Sequence, residues 1–214
     1  HRVQPFALNI TQPTDFGTLY ALDELAALGA VARRHGLRVH MDGARFANAV
    51  AALECSPADL TWRCGVDVLS LGATKNGAIN AEAVVVFDAD LAREIPFRMK
   101  RGGQVLSKAR FVSAQLARYV ADDRWLERAR RANAHAAALA QQLAALPGVS
   151  LVAPVEVNMI FLRMPDAAVS ALDHGPFHYY KLGRDVRLVC RPDQEPAGLE
   201  ALVRCVRDAV MTRH

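Results

Sequence analysis

Two segments of the chain each place a reactive side chain directly after a short apolar run. Lys75 follows the run 66–71 and is flanked by glycines. Asp42 and Arg45 follow a second run, residues 37–41. Removal of the lysine amine from water at the end of a buried strand would favour its neutral, nucleophilic form. The two segments therefore predict a site that combines a nucleophilic lysine with a carboxylate.

This combination of residue types predicts a site for pyridoxal phosphate (PLP). PLP is held by a lysine Schiff base, and a carboxylate at its pyridinium nitrogen helps the ring to take up electrons. Lys75 and Asp42 meet these two needs, and the Thr74 hydroxyl is a candidate ligand for the phosphate. The forked guanidinium groups of Arg45 and Arg187 are candidates to bind a substrate carboxylate.

Each of these residues also has an ordinary structural interpretation. An aspartate before a glycine suits a helix N-cap, so Asp42 could serve only to start the next helix. Arg45 could be a surface residue of that helix, and Arg187 could point to solvent from the polar face of a strand. Lys75 could be solvated, as most lysines are. His40, on the same strand as Asp42, is expected to point away from the site.

Short apolar runs alternate with helical patterns up to residue 87, which predicts an α/β layer with a mostly parallel sheet. The run 83–87 is continuously apolar, as in a parallel strand that is covered on both faces. In such sheets ligands bind beyond the carboxyl ends of the strands. Asp42 and Lys75 are therefore predicted at the same edge. The predicted strands of this part are 6–10, 37–41, 66–71 and 83–87, and the helices are 18–35 and 44–53.

The second half of the chain has a different pattern. Its long helical segments and separate strands predict a small α+β domain, while residues 166–183 show no clear pattern. We therefore predict a partial PLP-binding large domain at 1–113 and a carboxyl-terminal domain at 114–214. The predicted helices of this half are 104–120, 123–146 and 196–211, and the strands are 149–152, 157–163 and 186–190.

Composition excludes several other classes. A net charge of +4 with scattered basic residues and no recognition motif argues against nucleic-acid binding. No apolar run approaches the ~20 residues of a membrane-spanning helix. The cysteines lack CxxC spacing, so neither a metal site nor a disulfide framework is expected, and free thiols favour a cytoplasmic location. These cysteines are Cys55, Cys64, Cys190 and Cys205.

Taken together, the motifs resemble those of threonine aldolases, PLP enzymes of fold type I. The resemblance is to the branch whose lysine lies in a Thr-Lys-Asn-Gly segment, which includes low-specificity L-threonine aldolases and phenylserine aldolases. It extends along nearly the whole chain. The matching segments are 9–14, 17–20, 35–49, 67–76, 81–85, 108–116 and 187–189.

The resemblance implies a role for each site residue. Lys75 would form the Schiff base, and Asp42 would pair with the pyridinium nitrogen. Arg45 would lie at the cofactor and, with Arg187, hold the substrate carboxylate. Lys108 would reach the phosphate of the cofactor bound to a neighbouring subunit.

The resemblance also implies a reaction and an assembly. The family reaction is the retro-aldol cleavage of L-threonine or L-allo-threonine to glycine and acetaldehyde, in homo-dimers or homo-tetramers. Family members carry a further amino-terminal part with a phosphate-binding loop and a ring-stacking histidine, so we expect this chain to be amino-terminally incomplete. Two alternatives stay open. One is a phenylserine aldolase or another β-eliminating lyase on the same scaffold. The other is a non-catalytic remnant with a structural or partner-binding role.

Overall fold

Strands and helices alternate from Ala7 to Val86 in the computed structural model, which describes residues 3–211. The strands form one sheet in the order β1-β2-β3-β4, in which β1, β2 and β3 run parallel. The predicted α/β layer with a mostly parallel sheet is confirmed. The elements are β1 (Ala7–Thr11), α1 (Leu22–Arg34), β2 (Arg38–Gly43), α2 (Phe46–Leu53), β3 (Val68–Gly72) and β4 (Glu82–Val86), with short 3₁₀ helices at Trp62–Cys64 and Thr74–Asn76.

The prediction of a parallel, fully covered strand at residues 83–87 is wrong. β4 pairs antiparallel with β3 and lies at the edge of the sheet, where the Val84 side chain is 58% exposed. The connection between the two strands, residues 73–81, is too short for the crossover that a parallel partner requires. The chain therefore turns back on itself after the lysine segment.

Alternation along β2 separates a covered face of this sheet from a polar one. Val39 and Met41 are buried and pack with side chains of α1 and α2, whereas His40 and Asp42 lie on the opposite face and are half-buried. Because strand side chains alternate with a period of two, all polar residues of β2 share one face. The buried core on the covered face includes Ile10, Leu25, Ala32, Val39, Met41, Phe46, Val50, Leu60 and Leu69.

Two helices follow the first sheet, whereas one long helix was predicted at residues 104–120. α3 (Ala89–Arg101) lies before the predicted range, and α4 (Arg110–Tyr119) occupies only its later part. Asp88 caps α3, since its Oδ1 accepts hydrogen bonds from the N–H groups of Asp90 and Leu91, both at 2.9 Å. Prolines favour helix starts and interrupt helix interiors, so Pro96 inside α3 hid this helix from the sequence analysis.

The four remaining strands form a second, antiparallel sheet in the order β5-β6-β8-β7. The predicted final helix is present as α7, whereas residues 166–183, predicted without regular structure, form α6 and β7. Ile160, Leu162, Val186 and Leu188 carry the core of this sheet against the helices. The elements are α5 (Arg124–Ala144), β5 (Ser150–Leu151), β6 (Met159–Arg163), α6 (Asp166–His174), β7 (Tyr180–Leu182), β8 (Asp185–Val189) and α7 (Pro196–Met211).

The chain divides into two compact units, which we call the first and the second unit. The first contains the residues up to Thr14 and Leu19–Glu127, and the second contains Asp15–Thr18 and the residues from Arg128 onward. The change after residue 127 falls inside α5, one helix later than the boundary predicted at residue 113. The division into a partial PLP-binding large domain at 1–113 and a carboxyl-terminal domain at 114–214 stays a prediction, and the extreme ends, residues 1–2 and 212–214, lie outside the described residues.

All of Cys55, Cys64, Cys190 and Cys205 are free thiols, and burial raises the pKa of Cys190 to about 11, which keeps it protonated and unreactive. Within residues 3–211, no group of His, Cys, Asp and Glu side chains is arranged to hold a metal ion. None of the helices described is long and apolar enough to cross a membrane.

Alanine substitution of two helical glycines is predicted to change the free energy of unfolding in opposite directions. A Cβ on Gly29 of α1 would lie 2.0 Å from the backbone oxygen of Cys64, whereas a Cβ on Gly198 of α7 would meet no atom within 4 Å. We expect Gly29→Ala to lower the free energy of unfolding by about 3 kcal/mol, because backbone cannot yield as a flexible side chain does. Gly198→Ala should raise it by about 0.5 kcal/mol through helix propensity. Urea denaturation of both variants measures this, and equal stability would contradict the packing of α1.

Candidate functional site

The carboxyl ends of β2 and β3 bring the two predicted chemical segments to one edge of the sheet. Asp42, near the end of β2, is in register with Ser70 of β3, and the 3₁₀ helix that contains Lys75 begins two residues after β3 ends. The polypeptide of Asp42 is held from the other side as well, because its carbonyl oxygen accepts a hydrogen bond from Gln12 N–H at 3.0 Å. The structure thus places Asp42 and Lys75 as predicted, at neighbouring strand ends.

A direct backbone contact joins the aspartate segment to the lysine segment. A Cβ on Gly72 would lie 2.8 Å from the Ala44 Cα and 2.7 Å from the Ala44 carbonyl oxygen. Such distances are too short for any side chain, so only glycine permits this approach. Gly43 is similarly enclosed, with the Ser70 carbonyl oxygen 2.9 Å from the position of its absent Cβ. The two glycines allow the segments to lie against each other.

Asp42 does not cap a helix. Its Oδ1 accepts a hydrogen bond from Ala44 N–H at 2.9 Å, which tightens the turn after β2, whereas the N-cap of α2 is Arg45. Among the described residues, no donor contacts the second carboxylate oxygen. The structural interpretation of Asp42 as a helix cap is therefore excluded, and one of its oxygens is available on the polar face of the sheet.

Two polar residues fasten the turn that carries Lys75. The Thr74 hydroxyl accepts from Ala81 N–H at 3.0 Å and donates to the Ala81 carbonyl oxygen at 3.3 Å. Asn76 is buried, and its Nδ2 donates to the Tyr119 hydroxyl at 2.8 Å and to the Trp125 carbonyl oxygen at 2.7 Å. Thr74 was predicted only as a phosphate ligand, and no role was predicted for Asn76.

The expectation that the lysine amine is removed from water is not met by the described residues. Lys75 is classed as exposed, and only its neighbours Asn76, Ala73 and Gly72 are buried. The turn that follows β3 buries Ala73 and Asn76 and leaves Lys75 at the surface of this chain. The apolar run before a residue therefore does not ensure that the residue itself is buried.

His40 was expected to point away from the site, and the structure corrects this. It lies two residues before Asp42 on β2, and hence on the same face of the sheet. Its Nε2 is 2.8 Å from the Ser70 hydroxyl oxygen, and its Nδ1 contacts the Asn9 side-chain oxygen. A carbonyl oxygen can only accept, so Nδ1 donates to Asn9, and Nε2 of a neutral imidazole would then accept from the Ser70 hydroxyl. The period of two along a strand was the signal that the sequence analysis missed.

The three remaining predicted site residues are placed differently. Arg45 is half-buried at the start of α2, on the same edge as Asp42. Lys108 is exposed in the turn between α3 and α4, not inside a helix as predicted. Arg187 lies at the centre of β8 in the second unit, where its guanidinium carbon is 4.2 Å from the centre of the Tyr180 ring.

The residues of the first unit fit a PLP ring better than they fit its phosphate. Lys75 is accessible, Asp42 keeps a carboxylate oxygen available, and both lie at one strand edge. A phosphate requires hydrogen-bond donors, and the only hydroxyl hydrogen of Thr74 is already donated to Ala81. The described residues can therefore hold the reactive end and the pyridine nitrogen of the cofactor, and Thr74 can contact the phosphate only by changing partner.

Sequence comparison finds two similar low specificity L-threonine aldolases. One, from Pseudomonas aeruginosa, is 43% identical over 209 residues, which cover 97% of this chain and 60% of that protein. The other, from Pseudomonas sp., is 42% identical over 214 residues, which cover 99% of this chain and 62% of that protein. The chain thus spans about 60% of the length of these relatives.

Structural comparison and a family profile agree with this similarity. The threonine aldolase of Leishmania major superposes with a TM-score of 0.88 at 25% identity, covering 97% of this chain and 62% of that one. The predicted fold class, fold type I of the PLP enzymes, is confirmed, and beta-eliminating lyases of this fold depend on PLP. The profile of the family described as Beta-eliminating lyase matches residues 1–167. The chain belongs to the beta-eliminating lyase family.

Proposed function

We propose that the protein cleaves L-threonine and L-allo-threonine to glycine and acetaldehyde with the help of PLP. One observation carries the proposal: Lys75 and Asp42 meet at the same sheet edge because the backbone of Ala44 lies against Gly72. The sequence similarity to low specificity L-threonine aldolases supports the choice of substrate.

Each residue has a proposed task. PLP, when bound, takes up the electron pair that is released as the Cα–Cβ bond of the substrate breaks. The Lys75 amine attaches the cofactor covalently, and the Asp42 carboxylate keeps a proton on the pyridine nitrogen. Arg45 contacts the cofactor and binds the substrate carboxylate. Lys108 contacts the phosphate of the cofactor in a neighbouring subunit. The assignments of Arg45 and Lys108 rest on the resemblance.

Arg187 of the second unit is proposed to bind the substrate carboxylate. Its Nε is buried, and no hydrogen-bond acceptor for it is present among residues 3–211. A buried donor without a partner costs free energy, which an arriving carboxylate would recover. This supports an anion-binding role over the alternative of an arginine that points to bulk solvent.

Self-association and a cytoplasmic location complete the proposal. Apolar side chains are exposed along α3, the following turn and the start of α4, which supports an interface with a second copy. Free cysteines support a reducing compartment. The exposed apolar residues are Phe97 (71%), Met99 (46%), Val105 (65%), Leu106 (61%) and Phe111 (63%).

The first prediction from the proposed function concerns covalent attachment of PLP. We expect PLP followed by borohydride reduction to label the chain on Lys75, because this lysine follows β3 at the sheet edge that also carries Asp42. Peptide mass spectrometry locates the adduct, and Lys100, Lys108 and Lys181 serve as internal controls. Lys75→Arg should abolish the specific label. Equal labelling of all lysines, or none on the folded chain, would contradict the proposed site.

A second prediction separates the proposed reaction from its alternatives. Glycine release should be detectable with L-threonine and L-allo-threonine and should be absent in Lys75→Arg. Faster turnover of phenylserine would instead favour the phenylserine aldolase. Elimination products without glycine would favour another β-eliminating lyase. A chain that is labelled on Lys75 but turns over none of these substrates would support the non-catalytic alternative.

The contact between the two segments makes a third prediction. Gly72→Ala places a methyl group 2.7–2.8 Å from the Ala44 backbone, closer than van der Waals contact allows, so the segments must separate. We expect the labelling of Lys75 to fall about tenfold, as befits an overpacking cost of about 1–3 kcal/mol. Gly198→Ala is the matched control, because its Cβ would meet no atom within 4 Å. Unchanged labelling in Gly72→Ala would show that the contact does not position the site.

A further inference from the structure

The Arg187 guanidinium is the unpaired charge of the second sheet. Arg187 shares one face of that sheet with Asp185, two residues away on β8. Asp185 is already occupied, since its Oδ1 accepts from Nε and Nη2 of Arg163 at 2.9 and 2.8 Å. No carboxylate among the described residues pairs with Arg187, and its buried Nε has no acceptor. The charge of Arg187 is therefore left for an anion from outside.

Aromatic rings flank Arg187 on both neighbouring strands. Tyr180 of β7 and Phe161 of β6 are its register partners. Phe161 is buried and packs against Phe16, with ring centres 5.2 Å apart. Tyr180 is 58% exposed on the edge strand, and the Arg187 guanidinium carbon lies 4.2 Å from the centre of its ring. This distance is within the range of a cation–π interaction.

We propose that Tyr180 is a positioning residue for Arg187. Resting on the proposed function of Arg187 as the carboxylate ligand, the ring holds the guanidinium plane so that its forked donors face an incoming carboxylate. An arginine that is free to rotate loses side-chain entropy on binding, and a stacked arginine has lost part of it already. The hydroxyl of Tyr180 makes no hydrogen bond with the described residues, so the ring, and not the hydroxyl, performs this task.

The stack can be tested without cofactor or substrate. In nitrogen-15 NMR spectra of the full chain, the Nε–H signal of Arg187 is assigned by its loss in Arg187→Lys. The Tyr180 ring should displace this signal, and Tyr180→Phe should keep the displacement. Tyr180→Ala should abolish it. Leu182→Ala is the matched control, because Leu182 lies on the same strand and face, is 47% exposed and is in register with Asp185. An unchanged signal in Tyr180→Ala would overturn the proposal and leave the proposed function intact.

Acetate serves as a carboxylate probe in the same spectra. We expect acetate to shift the Arg187 signal in the parent chain, Tyr180→Phe and Leu182→Ala. In Tyr180→Ala we expect about tenfold weaker acetate binding, which is the order of a cation–π contribution at a half-exposed site. Equal affinity in Tyr180→Ala would overturn the positioning role. If the stack is present but acetate leaves the Arg187 signal unmoved in the parent chain, the carboxylate role of Arg187 is wrong, and the positioning role falls with it.

Discussion

The parallel pairing of β2 with β3 is the constraint on which the candidate site depends. Two neighbouring parallel strands end at the same edge, so the residues that follow them meet without any further device. The approach becomes close only because Gly72 has no side chain where the Ala44 backbone passes. The strand pairing brings the two segments to one edge, and the absence of a Cβ at Gly72 lets them approach each other closely.

Hydrogen bonds from other elements then fix each segment against this edge. The backbone N–H of Gln12, directly after β1, holds the carbonyl oxygen of Asp42, and Asn76 ties the lysine turn to Tyr119 and Trp125. Gln12 makes its bond through the backbone N–H, whereas Asn76 uses a buried side-chain amide, which would cost free energy if it were unpaired. Consequently the lysine turn is positioned by residues that have no proposed contact with cofactor or substrate, while Lys75 itself remains accessible.

The arginines Arg38, Arg163 and Arg187 differ in whether a carboxylate of the described residues pairs with them. Arg38 is neutralised by Asp67 and Asp88, and Arg163 by Asp185, so both arginines have structural partners within the chain. Arg187 has an aromatic neighbour and no carboxylate among the described residues. A guanidinium that is supported by a ring but not neutralised retains its attraction for an external anion. This contrast with Arg38 and Arg163 supports the proposed role of Arg187 in binding a carboxylate.

The sequence by itself determined the fold class, the order of most elements and the common edge of Asp42 and Lys75, because hydrophobic periodicity and parallel topology are local patterns with general consequences. Only the tertiary structure decided the direction of β4, the exposure of Lys75 and the partners of Thr74 and His40. Those features depend on which neighbour a strand finds and on how a turn packs. Contacts between residues distant along the chain decide them, and no local pattern encodes such contacts.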